Sequence, residues 1–173
     1  MLAIRTILLN GPLDEAAAES AGAQLRALQE LDALTPVRLC VSSPGGDLAA
    51  GLGLAQAVRD AACPVSTLCM GQARGVALLV TASGAPGRRY SLPHTYLSLE
   101  LVPPSTSTAA PVRLDAAALP RLRELVVGEL AERSGRPAEA VGEDAAAGRV
   151  LTPEEAVAYG LVDRVVTSAS EIR

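Results

Sequence analysis

Residues 37–61 read VRLCVSSPGGDLAAGLGLAQAVRDA. Val37 to Ser42 is a short apolar run, and Pro44-Gly45-Gly46 stops it, so it reads as a strand followed by a tight turn. Asp47 is placed to cap a helix that continues to about Ala61. The same strand-then-helix step recurs on both sides. Upstream, Ile4 to Asn10 reads as a strand ended by Gly11-Pro12. Asp14 to Leu34 follows as an Ala/Leu-rich helix with Ala21, Leu25, Leu28 and Leu31 at helical spacing. Downstream, Val65 to Met70 reads as a strand bounded by Gly71. A small-residue helix from Arg74 to Ser83 follows, broken by Gly84-Ala85-Pro86-Gly87.

Beyond it, Arg89 to Leu92 and His94 to Val102 read as short strands around Pro93. Residues 103–111, PPSTSTAAP, are a loop without periodicity. Arg113 to Ser134 reads as a long helix with Leu114, Leu119, Leu122, Leu125, Val126 and Leu130 on its apolar side. Pro137 to Ala146 and Pro153 to Tyr159 are shorter helices, the second closed by Gly160. Leu161 to Val166 is a last strand. No repeat or boundary divides the chain. Strands alternating with helices predict one α/β domain over residues 1–173.

Composition narrows the chemistry. With 173 residues, 49% hydrophobic and a mean hydropathy of +0.28, the chain can bury one sizeable core. It has three Tyr and neither Phe nor Trp, so that core is built from Ala, Leu and Val. All 15 basic residues are Arg, which excludes Schiff-base and P-loop lysine chemistry. The net charge of −4 and pI near 5.0 argue against a nucleic-acid or anionic-membrane partner. The N-terminus has no signal-peptide pattern, and the apolar stretch around Val76 to Val80 is far short of a membrane span, so a cytoplasmic location is expected. Cys40, Cys63 and Cys69 show no C-x-x-C spacing, and His94 is the only histidine. No metal site or cofactor is expected, and the cysteines read as small buried hydrophobes.

Four segments carry a resemblance. They are Ser42-Ser43-Pro44-Gly45-Gly46-Asp47, Val65 to Ala73 (VSTLCMGQA), Arg89-Tyr90-Ser91-Leu92-Pro93, and Leu151 to Asp163 (LTPEEAVAYGLVD). In this order and spacing they resemble the proteolytic subunit of the Clp protease, over roughly Arg5 to Val166. The resemblance implies a crotonase-like fold of stacked βαβ units with a long handle helix, the handle region covering about residues 101–134. It also implies heptameric rings stacked face to face around a closed chamber. By the same resemblance, backbone N–H groups of Gly46 and Val76 form an oxyanion hole. Backbone donors survive side-chain substitution.

The family's Ser-His-Asp triad has no counterpart here. Its nucleophile position is Gly75, its general-base position Glu100 and its orienting position Gly148. His94, six residues from Glu100 on one strand, would stand ~20 Å away at ~3.3 Å per residue, far outside general-base reach. Ser98 shares a strand face with Glu100 but lacks an imidazole partner. Arg74 is a candidate ion-pair partner for Glu100. An acid/base role for Glu100, as in acyl-CoA hydratases and isomerases of the same superfamily, lacks visible CoA-site motifs.

Other departures follow. Only Met1 to Ala3 precede the first strand here, so the expectation is that the family's axial gate is missing or that the start codon is misplaced. The positions that line the family's ATPase-docking pockets with aromatics read Arg38, Cys40 and Asp60, which argues against docking of a Clp-type ATPase. The Gly-rich handle segment is replaced by Pro103-Pro104-Ser105-Thr106-Ser107-Thr108, which weakens the expectation of ring-to-ring contact. The expected function is a non-catalytic structural or regulatory ring subunit, as a self-oligomer or in a mixed ring with active subunits. The alternative is a serine-type endopeptidase, or another acyl-transfer enzyme using rearranged residues.

Overall fold

The computed structural model describes residues 5–101 and 117–172. Strands and helices alternate as the sequence predicts: β1 (Thr6–Asn10), α1 (Glu15–Leu31), β2 (Val37–Ser43), α2 (Leu48–Arg59), β3 (Val65–Arg74), α3 (Val76–Ala82) and β4 (Arg89–Ser91). β5 (Tyr96–Ser98), α4 (Ala118–Ser134), α5 (Ala138–Ala146), β6 (Val150–Leu151), α6 (Pro153–Tyr159) and β7 (Arg164–Val165) complete the order. A 3₁₀ turn, Ala169–Glu171, follows β7.

The sheet runs β1-β2-β3-β4-β7, with every adjacent pair parallel. Burial follows position. Central β2 is covered on both faces, with Val37, Leu39 and Val41 turned to the main core and Cys40 buried on the opposite face under Ile172 and the neighbouring strands. Edge strand β1 alternates instead: Ile7 and Leu9 point into the core and Leu8 is 66% exposed. The main core gathers Ile7, Leu9, Val37, Leu39 and Val41 with Leu25, Leu54, Val58 and the apolar residues of α3.

The helix starts follow local rules. The Asp14 carboxylate accepts from Ala17 N–H, and that of Asp47 from Ala50 N–H, both at 2.8 Å. Thr152 and Glu155 cap α6 reciprocally.

Several predicted bounds give way to tertiary contacts. β3 does not end at Gly71 but continues to Arg74. Its first half pairs with β4 through Thr67–Cys69, and its second half pairs with β5 through Gln72–Arg74. The strand predicted from His94 shrinks to three residues, because His94 sits in an exposed turn at φ +66°. The predicted strand Leu161–Val166 pairs only at Arg164 and Val165. Leu31, predicted on the apolar face of α1, is 81% exposed.

α4 also differs from expectation. The part of the predicted helix before residue 117, including Leu114, and the whole loop at 103–111 lie outside the described residues, as does residue 102. Within α4, Val126, Leu130 and Ala131 are buried. Leu119, Leu122 and Val127 pack partly against the core, and Leu125 remains 40% exposed. The rest of the subunit therefore covers much of the apolar surface of α4.

Candidate active site

β3 delivers Arg74 and then Gly75, from which α3 starts. Gly75 has φ +53° and ψ −119°. A side chain in that backbone region costs about 1–3 kcal/mol. A sharp strand-to-helix elbow of this kind is what lifts a nucleophile clear of the sheet in α/β hydrolases. Gly75 N–H donates to the Ser98 carbonyl at 2.8 Å, which ties the elbow to β5. A Cβ at Gly75 would lie 2.6 Å from the Glu100 carbonyl oxygen.

β6 brings in the third position. It pairs antiparallel with β5, Leu97 opposite Leu151 and Ser98 opposite Val150. Leu99 N–H then bonds the Arg149 carbonyl at 2.9 Å. A Cβ at Gly148 would lie 3.7 Å from Cγ and Cδ of Glu100. Gly75 and Gly148, distant in sequence, thus both stand against Glu100, Gly75 at its carbonyl and Gly148 at its side chain. That convergence depends on β5 and β6, the shortest strands of the site.

The Glu100 carboxylate accepts from Arg74 Nη2 at 2.8 Å, the pairing proposed from sequence. The two side chains are 40% and 34% exposed, so the pair is worth roughly 0–1 kcal/mol. The Arg74 guanidinium also lies 5.7 Å from the Tyr96 ring centroid. The space beside Gly148 is therefore held by a weak, partly exposed ion pair.

The predicted oxyanion donors Gly46 and Val76 border one small cavity of about 10 Å³, together with Pro44, Gly45, Arg74, Gly75 and Glu100. That is room for about one water. Gly46 is locked there by its neighbour: Leu13 N–H bonds Gly45 O at 3.0 Å, Asp47 N–H bonds Leu13 O at 2.8 Å, and a Cβ at Gly46 would meet Leu13 O at 2.3 Å. Only glycine fits. Val76 N–H is a first-turn group of α3 without an intrahelical acceptor. Gly75 gives it no side-chain cap.

Other candidate nucleophiles are committed elsewhere. Ser98 is fully buried, and its Oγ accepts from Glu100 N–H at 3.2 Å. Cys40, Cys63 and Cys69 are free thiols, all buried. Burial pushes the Cys69 thiol up to about 12, which leaves almost no thiolate at neutral pH. Among the described residues no three His, Cys, Asp or Glu side chains cluster to hold a metal, and no helix is long and apolar enough to cross a membrane.

Of the positions carried over for ATPase docking, Arg38 and Cys40 lie on the outer face of β2 and Asp60 caps the C-terminus of α2. Cys40 is 5% exposed, Arg38 bonds the Ile172 carbonyl at 2.8 Å, and Asp60 is exposed. One polar centre had no sequence signal. Arg89 clamps Asp163 through Nε at 3.0 Å and Nη2 at 2.6 Å, and its Nη1 bonds Gly160 O at 2.8 Å. It joins β4 to the turn after α6.

The profile of the Clp protease family matches residues 1–169. The chain is 35% identical to the ATP-dependent Clp protease proteolytic subunit 2 of Chlamydia muridarum, over 100% of this chain and 86% of that protein. It is 34% identical to subunit 2 of Chlamydia pneumoniae, over 99% and 85%. It is 32% identical to the ATP-dependent Clp protease proteolytic subunit 1 of Chlamydia felis, over 100% and 86%. With strand, elbow and helix in the expected order and a matching profile along nearly its whole length, the chain belongs to the Clp protease family.

Proposed function

We propose that this protein is a non-catalytic proteolytic-subunit homologue that serves as a structural or regulatory subunit in ATP-dependent proteolysis. Its place is in a ring, either of its own copies or mixed with active Clp subunits. The observation that carries this reading is the meeting of Gly75, Glu100 and Gly148 at one strand-to-helix elbow. The elbow is in place and carries no nucleophile, base or orienting carboxylate of the triad type. Losing the serine or histidine of such a triad costs about 10⁶ in kcat. The backbone frame around Gly46 and Val76 is kept, so substrate contact without turnover is consistent with the site. Charge at Arg38 and Asp60 makes direct docking of an apolar ATPase loop unfavourable, and a partner subunit would then supply that contact.

The test is a fluorogenic peptide assay combined with a serine-directed phosphonate probe. No turnover and no labelling are expected. Labelling that disappears on one Ser→Ala change would establish a rearranged peptidase instead. Native mass spectrometry after co-purification from the source cell would identify partner subunits and stoichiometry.

A further inference from the structure

Two runs of small residues end in the same place. Ala61-Ala62-Cys63-Pro64 lies between α2 and β3, and Ala82-Ser83-Gly84-Ala85-Pro86 closes α3 on the way to β4. No side chain in either run is larger than that of proline or cysteine, and both runs border an open cavity of about 600 Å³. Small-molecule sites fall at about 300–1,000 Å³. Val58 and Val65 add apolar wall. The cavity shares no lining residue with the small one at the Gly75 elbow.

Its polar wall is unequal in charge. Arg59 from the end of α2, Arg89 from β4 and Arg133 from the last turn of α4 line it, against one lining carboxylate, Glu132, which is exposed. Arg89 is matched, since its Nε and Nη2 hold Asp163. Arg59 and Arg133 are not. Arg59 Nη1 at 2.6 Å and Arg133 Nη2 at 3.0 Å donate to the same oxygen, Oε2 of Glu129, so two cations share one carboxylate. Arg59 Nη2 donates to Gln56 Oε1, a neutral group. Arg133 Nε is buried and has no hydrogen-bond partner. A buried donor in that state calls for an acceptor. The acceptor that fits a guanidinium best is a planar carboxylate, which takes parallel N–H bonds from it.

We propose that this cavity binds a small organic anion, its carboxylate on the Nε edge of Arg133 beside Arg59 and its apolar body along Val58, Cys63 and Val65. An inorganic ion would meet the charge but leave most of the volume unfilled, since even a water takes only about 30 Å³. A neutral apolar ligand would cover the Arg133 donor without pairing it, which is unfavourable. The site goes beyond the proposed function and does not depend on whether the Gly75 elbow is inactive.

The experiment titrates the full chain with hexanoate, hexanamide and inorganic phosphate, each to ~10 mM, above the millimolar Kd of a weak site. Calorimetry and thermal shift are the readouts. Hexanoate is expected to bind, and hexanamide and phosphate to bind at least tenfold more weakly. Two variants place the ligand. Arg133→Gln removes the guanidinium fork, and Ala85→Leu, at a partly exposed lining position, narrows the cavity while keeping every ion pair. Both are expected to weaken hexanoate at least tenfold with an unchanged circular dichroism spectrum. If Arg133→Gln fails to fold, Ala85→Leu alone decides the placement. No hexanoate binding by either readout overturns the proposal. So does hexanamide or phosphate binding as tightly as hexanoate, or an unchanged hexanoate affinity in Ala85→Leu.

Discussion

Placing a serine at the elbow tests the site most directly. In Gly75→Ser the new Cβ enters a backbone conformation of φ +53° and ψ −119°, which costs about 1–3 kcal/mol. It also starts 2.6 Å from the Glu100 carbonyl oxygen, a main-chain atom held by the end of β5, so the backbone itself must shift. The strain and the contact together place the expected loss at roughly 2–4 kcal/mol. For a chain of this size each kcal/mol lowers Tm by about 2–4 °C, so a drop of roughly 4–16 °C is expected. Activity is expected to stay at background. The new hydroxyl would face a carboxylate already paired with Arg74, not an imidazole, and no carboxylate stands at position 148 to orient a base. The assays are calorimetry, peptide hydrolysis and phosphonate labelling on one preparation. An unchanged Tm would refute the steric reasoning. Hydrolysis at rates typical of active peptidases would refute the assignment of Glu100 to the base position.

Arg89→Ala strips Asp163 of both hydrogen bonds from the Arg89 guanidinium where both residues are mostly buried, and a loss of roughly 2–4 kcal/mol is expected in chemical denaturation. Burial raises the Asp163 carboxyl, but hydrogen bonds from the Arg89 side chain and backbone outweigh it and hold it below the usual range. A lowered carboxyl stabilises above its unfolded value of about 3.9, and that stability fades as pH falls through the folded value. Asp163→Asn is therefore expected to flatten the fall of Tm below about pH 4. Leu125→Glu is expected to leave Tm nearly unchanged, because Leu125 is 40% exposed, while shifting any assembly held through α4 to smaller species in sedimentation at ~10 µM. Val126→Glu, at a fully buried position one residue on, is expected to abolish folding by circular dichroism. Gly51→Ala would set a Cβ 2.1 Å from Val76 Cγ2 on the facing helix, and a loss of roughly 1–3 kcal/mol by thermal melting is expected.

What was legible in the chain alone was what short-range physics controls. Asp14 and Asp47 announce helix starts because a cap needs only its next three residues. Pro44-Gly45-Gly46 announces the turn because backbone sterics act locally, and the parallel layering follows from apolar strands alternating with helices. The order of the four motifs was enough to place the family and to mark Gly75, Glu100 and Gly148. Thr152-x-x-Glu155 is readable by the same local rule.

Tertiary structure decided the rest. β6, at two residues, carries too little periodicity to announce itself, and β5 keeps only three residues of the strand predicted from His94 to Val102; both depend on β3 running on past Gly71 to receive β5. That pairing is what carries Glu100 to the elbow and Gly148 to Glu100. Leu31 and Leu130 look alike in sequence, yet one is 81% exposed and the other fully buried, since burial depends on which element packs opposite. The Arg89–Asp163 clamp and the seating of Ile172 over Cys40 join residues far apart in the chain. Contacts of that kind leave no mark in local spacing, because chain distance says nothing about distance in space once a sheet has brought its strands together.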